Sequence, residues 1–211
     1  QGSGPSGTIV VSNMNDNTAT LLDAATGRVV ATLPTGEGPH EVTVSRDGRW
    51  ALVSNYGVRG KPGNSITVID VMLAEVARTI VIAGYQRPHG MAFLPGDSLV
   101  AVTSESAQAV VLVDFRDGHV VASLPTKGRA SHTLAMTANG GRLFTANIAD
   151  ATISAVDVTH RDSTRIFAVA RQPEGIATTP DGSTVWAGSN SDSVVVVVEA
   201  RRGIALDTLR G

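Results

Sequence analysis

The chain has 211 residues, a formal net charge of −2 and 42% hydrophobic residues: enough for a sizeable core in one or two domains, and without the overall basic signature of a nucleic-acid binder. Cysteine is absent, which excludes a disulfide framework and any thiolate metal site. The longest apolar run, Val194 to Val198, has the length of a strand, far short of the roughly 18 residues that cross a bilayer as a helix, so no membrane span is expected.

The chain opens QGSGPSG with no Met, which fits either a mature end left by signal-peptide removal or an artificial boundary. Residues 1–7 read as a tail, and a periplasmic or extracellular protein is expected. Residues 8–33 supply three apolar runs, TIVVSN, TATLLD and RVVATLP. The next stretch supplies four: EVTVS, WALVSN, SITVID and EVARTIVI, parted by RDGR, by a loop containing the insert VRGKPG, and by VMLA. Valine, isoleucine and threonine dominate these runs and no 3.6-residue period persists, so they are strands. Asp47-Gly48, Asn139-Gly140 and Asp181-Gly182 mark tight hairpin turns.

The same grammar recurs to the end of the chain. Aligning VVSN, LVSN, AVTS, FTAN and WAGS brings Asn13, Asn55, Ser104, Asn147 and Ser189 to one landmark, spaced by 42, 49, 43 and 42 residues. Ten residues after four of them stands an acid: Asp23, Asp114, Asp157 and Glu199. In the second unit the insert delays it to Asp70. Thirteen residues before the last four landmarks lie Val42, Met91, Leu134 and Ile176. Four strands per period of about 42 residues is the signature of β-propeller blades. The third run, most plainly SVVVVVE, is apolar on both faces, as a strand covered on both sides must be. We expect an all-β fold of about five four-stranded antiparallel blades: a partial first blade at 8–38, then 39–86, 87–129, 130–171 and 172–211. The first unit lacks a first strand and no later segment replaces it, so the expectation is an incomplete arc of a seven-bladed ring that self-associates through open blade edges.

The stretches PEGIATTPDGSTVWAGS, LVSNYG, ITVIDV and TGRVVATLPTG carry a pattern that resembles the YVTN-repeat β-propellers of bacterial and archaeal surface and exported proteins. The resemblance spans essentially residues 8–211. It implies a usually seven-bladed ring and a function that is mostly unknown or binding. Related propellers include sugar lactonases and a streptogramin lyase.

Repetition is also an internal control, because one active site does not need five copies. The acid closing each third strand is therefore a turn cap, the landmark Asn or Ser a partner for loop backbone, and Trp50 and Trp186 blade packing. The histidines behave otherwise. Two residues before Val42, Met91, Leu134 and Ile176 stand His40, His89, His132 and Glu174, at the entry to each innermost strand. The same face should carry the VRGKPG loop, Glu105 and Asp150, with Arg87, Arg129 and Arg171 just before the entries. Imidazoles, a carboxylate and guanidiniums at one mouth suit a small polar or anionic ligand, or a protein partner. The bland alternative is that these histidines satisfy strand ends or hold water. No cofactor is expected. A divalent metal on the three histidines is the minor alternative, since zinc needs nitrogens converging at about 2.0–2.1 Å.

No phosphate loop, zinc helix or nucleophile elbow is present. Ser131 and His132 are strand neighbours facing opposite ways, a poor nucleophile–base pair. His119 and His160 sit in turns and read as solvated. The sequence favours a non-enzymatic binding or scaffolding propeller. The alternative is a lactonase-like hydrolase or streptogramin-lyase-like enzyme, with His89 or His132 as base and Glu174 as a partner or metal ligand.

Overall fold

A computed structural model describes residues 6–211, so most of the expected 1–7 tail lies outside the described residues. Among the described residues there are nineteen strands, and no helix is long and apolar enough to cross a membrane. Each sheet is a meander in chain order. Blade 1 has three strands, β1 (Thr8–Asn13), β2 (Thr18–Asp23) and β3 (Val29–Pro34). Blade 2 comprises β4 (Pro39–Val44), β5 (Trp50–Val58), β6 (Lys61–Asp70) and β7 (Glu75–Val81). Blade 3 comprises β8 (Pro88–Phe93), β9 (Leu99–Ser104), β10 (Ala109–Asp114) and β11 (Val120–Pro125). Blade 4 is built of β12 (Ser131–Met136), β13 (Arg142–Asn147), β14 (Thr152–Asp157) and β15 (Thr164–Ala168). Blade 5 is built of β16 (Pro173–Thr178), β17 (Thr184–Ser189), β18 (Val194–Glu199) and β19 (Ile204–Arg210). These antiparallel sheets are blades of the β-propeller class.

The chain divides into two compact units, Gln1–Pro88 and His89–Gly211. In the first, Ala19 and Leu21 of β2 meet Ala51, Val53 and Ile69 of blade 2 in a shared core. In the second, Leu112 and Leu124 of blade 3 pack on Leu143 and Val156 of blade 4. The opposite face of blade 4 sets Phe144, Ile153 and Phe167 against Val185 and Val196 of blade 5. All six residues of β10 are buried, as a strand covered on both faces requires. Strand β18 differs: Val194, Val196 and Val198 are in the core, whereas Val195 and Val197 lie on the half-open face.

The repeated acids close the turn after each third strand. Asp23, Asp70, Asp114, Asp157 and Glu199 each accept backbone N–H bonds from residues two or three positions on. Bonds from the His160 N–H and the Thr159 hydroxyl hold the Asp157 carboxyl down to about 2. The Arg116 guanidinium and N–H do the same for Asp114, also to about 2.

The landmark asparagines depart from expectation, since their amides mainly bridge strands. Asn147 Nδ2 donates to Thr152 at 3.0 Å and Ser154 at 2.8 Å on β14, and Asn55 bonds Ser65 and Thr67 on β6. Loop backbone enters through Gly36 N–H on Asn55 Oδ1, at 3.0 Å, and the landmark Ser189 bonds loop backbone as expected, donating to Arg171 C=O at 2.6 Å and accepting from Asp192 N–H at 2.8 Å. The amide is buried, so strand-side hydroxyls are the partners within reach.

The insert VRGKPG is also not a loop. It extends the β5–β6 hairpin, with Gly57 opposite Pro62 and Val58 opposite Lys61, around a turn at Gly60 (φ 82°). Its base is packed: Arg87 N–H donates to Gly63 C=O at 2.8 Å, and Lys61 pairs with Glu37 at 2.9 Å. A Cβ on Gly63 would lie 1.9 Å from Asn55 C=O oxygen, so glycine there permits the strands to pair. Backbone pairing is the lowest-energy use of six residues that begin and end between strands already in register.

Candidate functional site

Each blade begins with the same local device. The residue before the first strand is left-handed: Gly38 (φ 60°), Arg87 (54°), Ala130 (53°) and Gln172 (47°). For three non-glycine residues this conformation costs of order 1 kcal/mol each. Its carbonyl is held by the N–H that follows the landmark: Tyr56 to Gly38 at 3.0 Å, Ile148 to Ala130 at 3.1 Å, and Asn190 to Gln172 at 2.9 Å. The strand then starts with a bulge. Register slips between Pro39 and Val42, between Ser131 and Leu134, and between Pro173 and Gly175. His40, His132 and Glu174 fall in these bulges, which re-aim a side chain out of the pleat.

In the second unit this device gathers four of the expected residues. His89 is 1% exposed and His132 9%. Their rings stack, with centroids 3.5 Å apart and planes tilted by 34°. Gly90 makes the approach possible, since a Cβ there would lie 2.6 Å from Leu134 N and 3.0 Å from His132 C=O oxygen. Thr103 Oγ1 then ties the blades by donating to His132 C=O at 2.6 Å. Glu105, in the turn after β9, reaches into blade 4 and takes a short hydrogen bond from His132 Nδ1. Nε2 faces Glu174 Oε1 at 3.8 Å. Thr133 Oγ1 donates to Glu174 C=O and joins blades 4 and 5 at this level. Glu105 and His132 side chains are each 11% exposed and that of Glu174 is 46% exposed. A mostly buried floor thus has one carboxylate open to solvent.

The arginines of this unit point elsewhere. Arg129 donates from its N–H to Asp150 Oδ2 and from Nε to Oδ1, both at 2.6 Å. Arg171 repeats the clasp on Asp192, at 2.9 Å from both groups. The Arg129 N–H holds the Asp150 carboxyl below its usual range, and the Arg171 side chain does so for Asp192, which raises Arg171 in return. His119 and His160 are exposed and sit beside Asp117 and Asp157.

The first unit carries the other two expected residues. His40 is half-buried, with its ring centroid 5.6 Å from that of Tyr56. Arg87 sets its guanidinium over the same ring at 4.8 Å, a cation–π contact. Ser12 Oγ donates to His40 C=O at 2.5 Å. Tyr56 is therefore a residue the sequence reading passed over. The signal was available: the residue after the landmark is Met14, Tyr56, Glu105, Ile148 or Asn190, so it varies inside a constant frame.

No family model matches the chain, and no curated protein does. Solved structures do. Hydrazine synthase of Kuenenia stuttgartiensis superposes with a TM-score of 0.76 at 19% identity, covering 95% of this chain and 63% of that one. A functionally unknown protein from Desulfotomaculum acetoxidans DSM 771 gives 0.78 at 18% identity, covering 98% and 68%. Dihydro-heme d1 dehydrogenase NirN, in complex with DHE, gives 0.71 at 19%, covering 99% and 45%. The chain thus spans roughly half to two thirds of these structures, and the likeness at such identities is one of fold.

Proposed function

We propose that this propeller is a non-enzymatic binding module, exported and of the YVTN-repeat kind, that takes a small polar ligand at His89, Glu105, His132 and Glu174. One observation carries the reading: the buried Glu105–His132 pair lies 3.8 Å, through His132 Nε2, from the solvent-open Glu174 carboxylate. Convergent polar groups over a buried floor are what a ligand site needs. The charge balance favours a hydroxyl- or amine-bearing group over an anion, because two carboxylates face the site and Arg129 and Arg171 are committed to Asp150 and Asp192. A small-molecule thermal-shift screen tests this. Ligand at a hundred times its Kd adds about 2.7 kcal/mol, so a real ligand raises the melting temperature of wild type and not of Glu174→Gln. A screen in which no polar compound separates the two proteins refutes the reading.

The second reading is a hydrolase or lyase, favoured by the same Glu105–His132 contact, since a carboxylate on Nδ1 leaves Nε2 able to accept a proton. Turnover of lactones by wild type, lost in His132→Gln, would establish it over pure binding.

A further inference from the structure

We infer that His89, Glu105 and His132 form a site for one divalent transition-metal ion of the zinc class. This deepens the binding reading above and rests on it. The three residues each offer a ligand atom, and these atoms lie within 4.8 Å of one another. Two ligands of a tetrahedral ion at about 2.0–2.2 Å stand roughly 3.3–3.5 Å apart, so small side-chain rotations close the shell.

The chemistry of the donors selects the ion. Imidazole nitrogens suit zinc, copper and nickel, whereas magnesium and calcium require all-oxygen shells. The Glu105 carboxylate offsets part of the charge of a dication in a place where His89 is 1% exposed. The two rings stack at 3.5 Å, so their nitrogens open on a common space beside Glu105. The site is assembled by backbone as well as side chains, since Gly90 sets the distance between the two rings.

The test is calorimetric titration of the full chain with zinc chloride, magnesium chloride and calcium chloride. The expected result is one zinc per chain and no magnesium or calcium binding. Glu105→Gln should weaken zinc at least tenfold. His132→Gln should do the same. Cobalt substituted for zinc should give the intense visible bands of a four-coordinate site. The trio of buried Asp114 with exposed Asp117 and His119 is the rival locus. Zinc binding lost in Asp117→Asn but kept in Glu105→Gln would overturn the inference, as would no binding by wild type. If zinc fails while a polar compound still distinguishes wild type from Glu174→Gln, the metal inference falls alone. If both fail, the binding reading falls with it.

Discussion

Gly90 is the most informative single position, because it links the architecture to the stacked histidines. An alanine Cβ there would stand 2.6 Å from Leu134 N, 3.0 Å from Leu134 Cβ and 3.0 Å from His132 C=O oxygen. Comfortable separations are about 3.5–4.0 Å, so β8 and β12 must part by about 1 Å. The obstructing atoms are mostly backbone, which cannot swing aside as a flexible side chain can. Overpacking of this kind costs about 1–3 kcal/mol, and a chain of this size loses about 2–4 °C of melting temperature per kcal/mol. Gly90→Ala should therefore melt about 4–8 °C lower at the middle of that range. Gly175 is the built-in control: it follows Glu174 as Gly90 follows His89, yet a Cβ there meets nothing within 4 Å. Gly175→Ala should be neutral, or should gain about 0.4–1 kcal/mol by restricting the unfolded chain. Differential scanning calorimetry of both variants decides the matter. Equal melting temperatures would show that the close approach of blades 3 and 4 is not the constraint argued here.

Asp157→Asn should lose about 1 kcal/mol at neutral pH, an estimate reduced for partial exposure from the roughly 2.4 kcal/mol implied by a carboxyl lowered from 3.8 to about 2. Because the folded-state value is the depressed one, this stability is complete above the unfolded value of 3.8 and disappears as pH falls through about 2. Urea titrations at pH 7 and pH 2.5 should show the gap to wild type narrowing, and a constant gap would contradict the charge-assisted cap. Deleting residues 58–63 should destabilise the first unit by about 1–2 kcal/mol through lost backbone pairing, and an unchanged urea midpoint would mean the hairpin extension is not packed. Gly128→Ala should destabilise because a Cβ there would stand 2.2 Å from Asn147 Nδ2. Adding Asn147→Ser should recover part of the loss, as blade 5 already pairs Ala170 with Ser189. Additive effects in the double-mutant cycle would refute the coupling.

The fold class was legible because it is written five times. Acid and landmark recur in all five units and the inner-strand apolar position in four, and the acid and the landmark asparagine are explained by local bonds, a turn cap and a strand bridge. The turns between second and third strands were harder to see. Their left-handed residues are Asn17, Gln108, Ala151 and Ser193, with φ of 52–54°, and none is a glycine. A left-handed alanine gives no compositional sign, since the surrounding bonds impose the conformation. The hairpin made by VRGKPG was missed for the converse reason. Glycine, lysine and proline read as loop by composition, while pairing across Gly57 and Pro62 depends on backbone alone.

For the candidate site, offset counting finds the entry positions but not what each one meets. His40 and His132 occupy the same place in the repeat and the same bulge, yet one neighbours Tyr56 and the other hydrogen-bonds Glu105. The difference comes from the residue after the landmark, on the same blade for Tyr56 and on the preceding blade for Glu105. A neighbour across blades has no fixed separation in sequence, so no periodicity within one unit can announce it. The glycine that sets the spacing is equally silent: His89-Gly90 and Glu174-Gly175 look alike in sequence, and only the first is pressed by a neighbouring strand. The frame that repeats holds the strands, and the chemistry lies in the positions where the frame is constant and the residue is not. By that criterion Glu105, the one acid among Met14, Tyr56, Ile148 and Asn190, is the residue whose replacement should alter binding while leaving the blades intact.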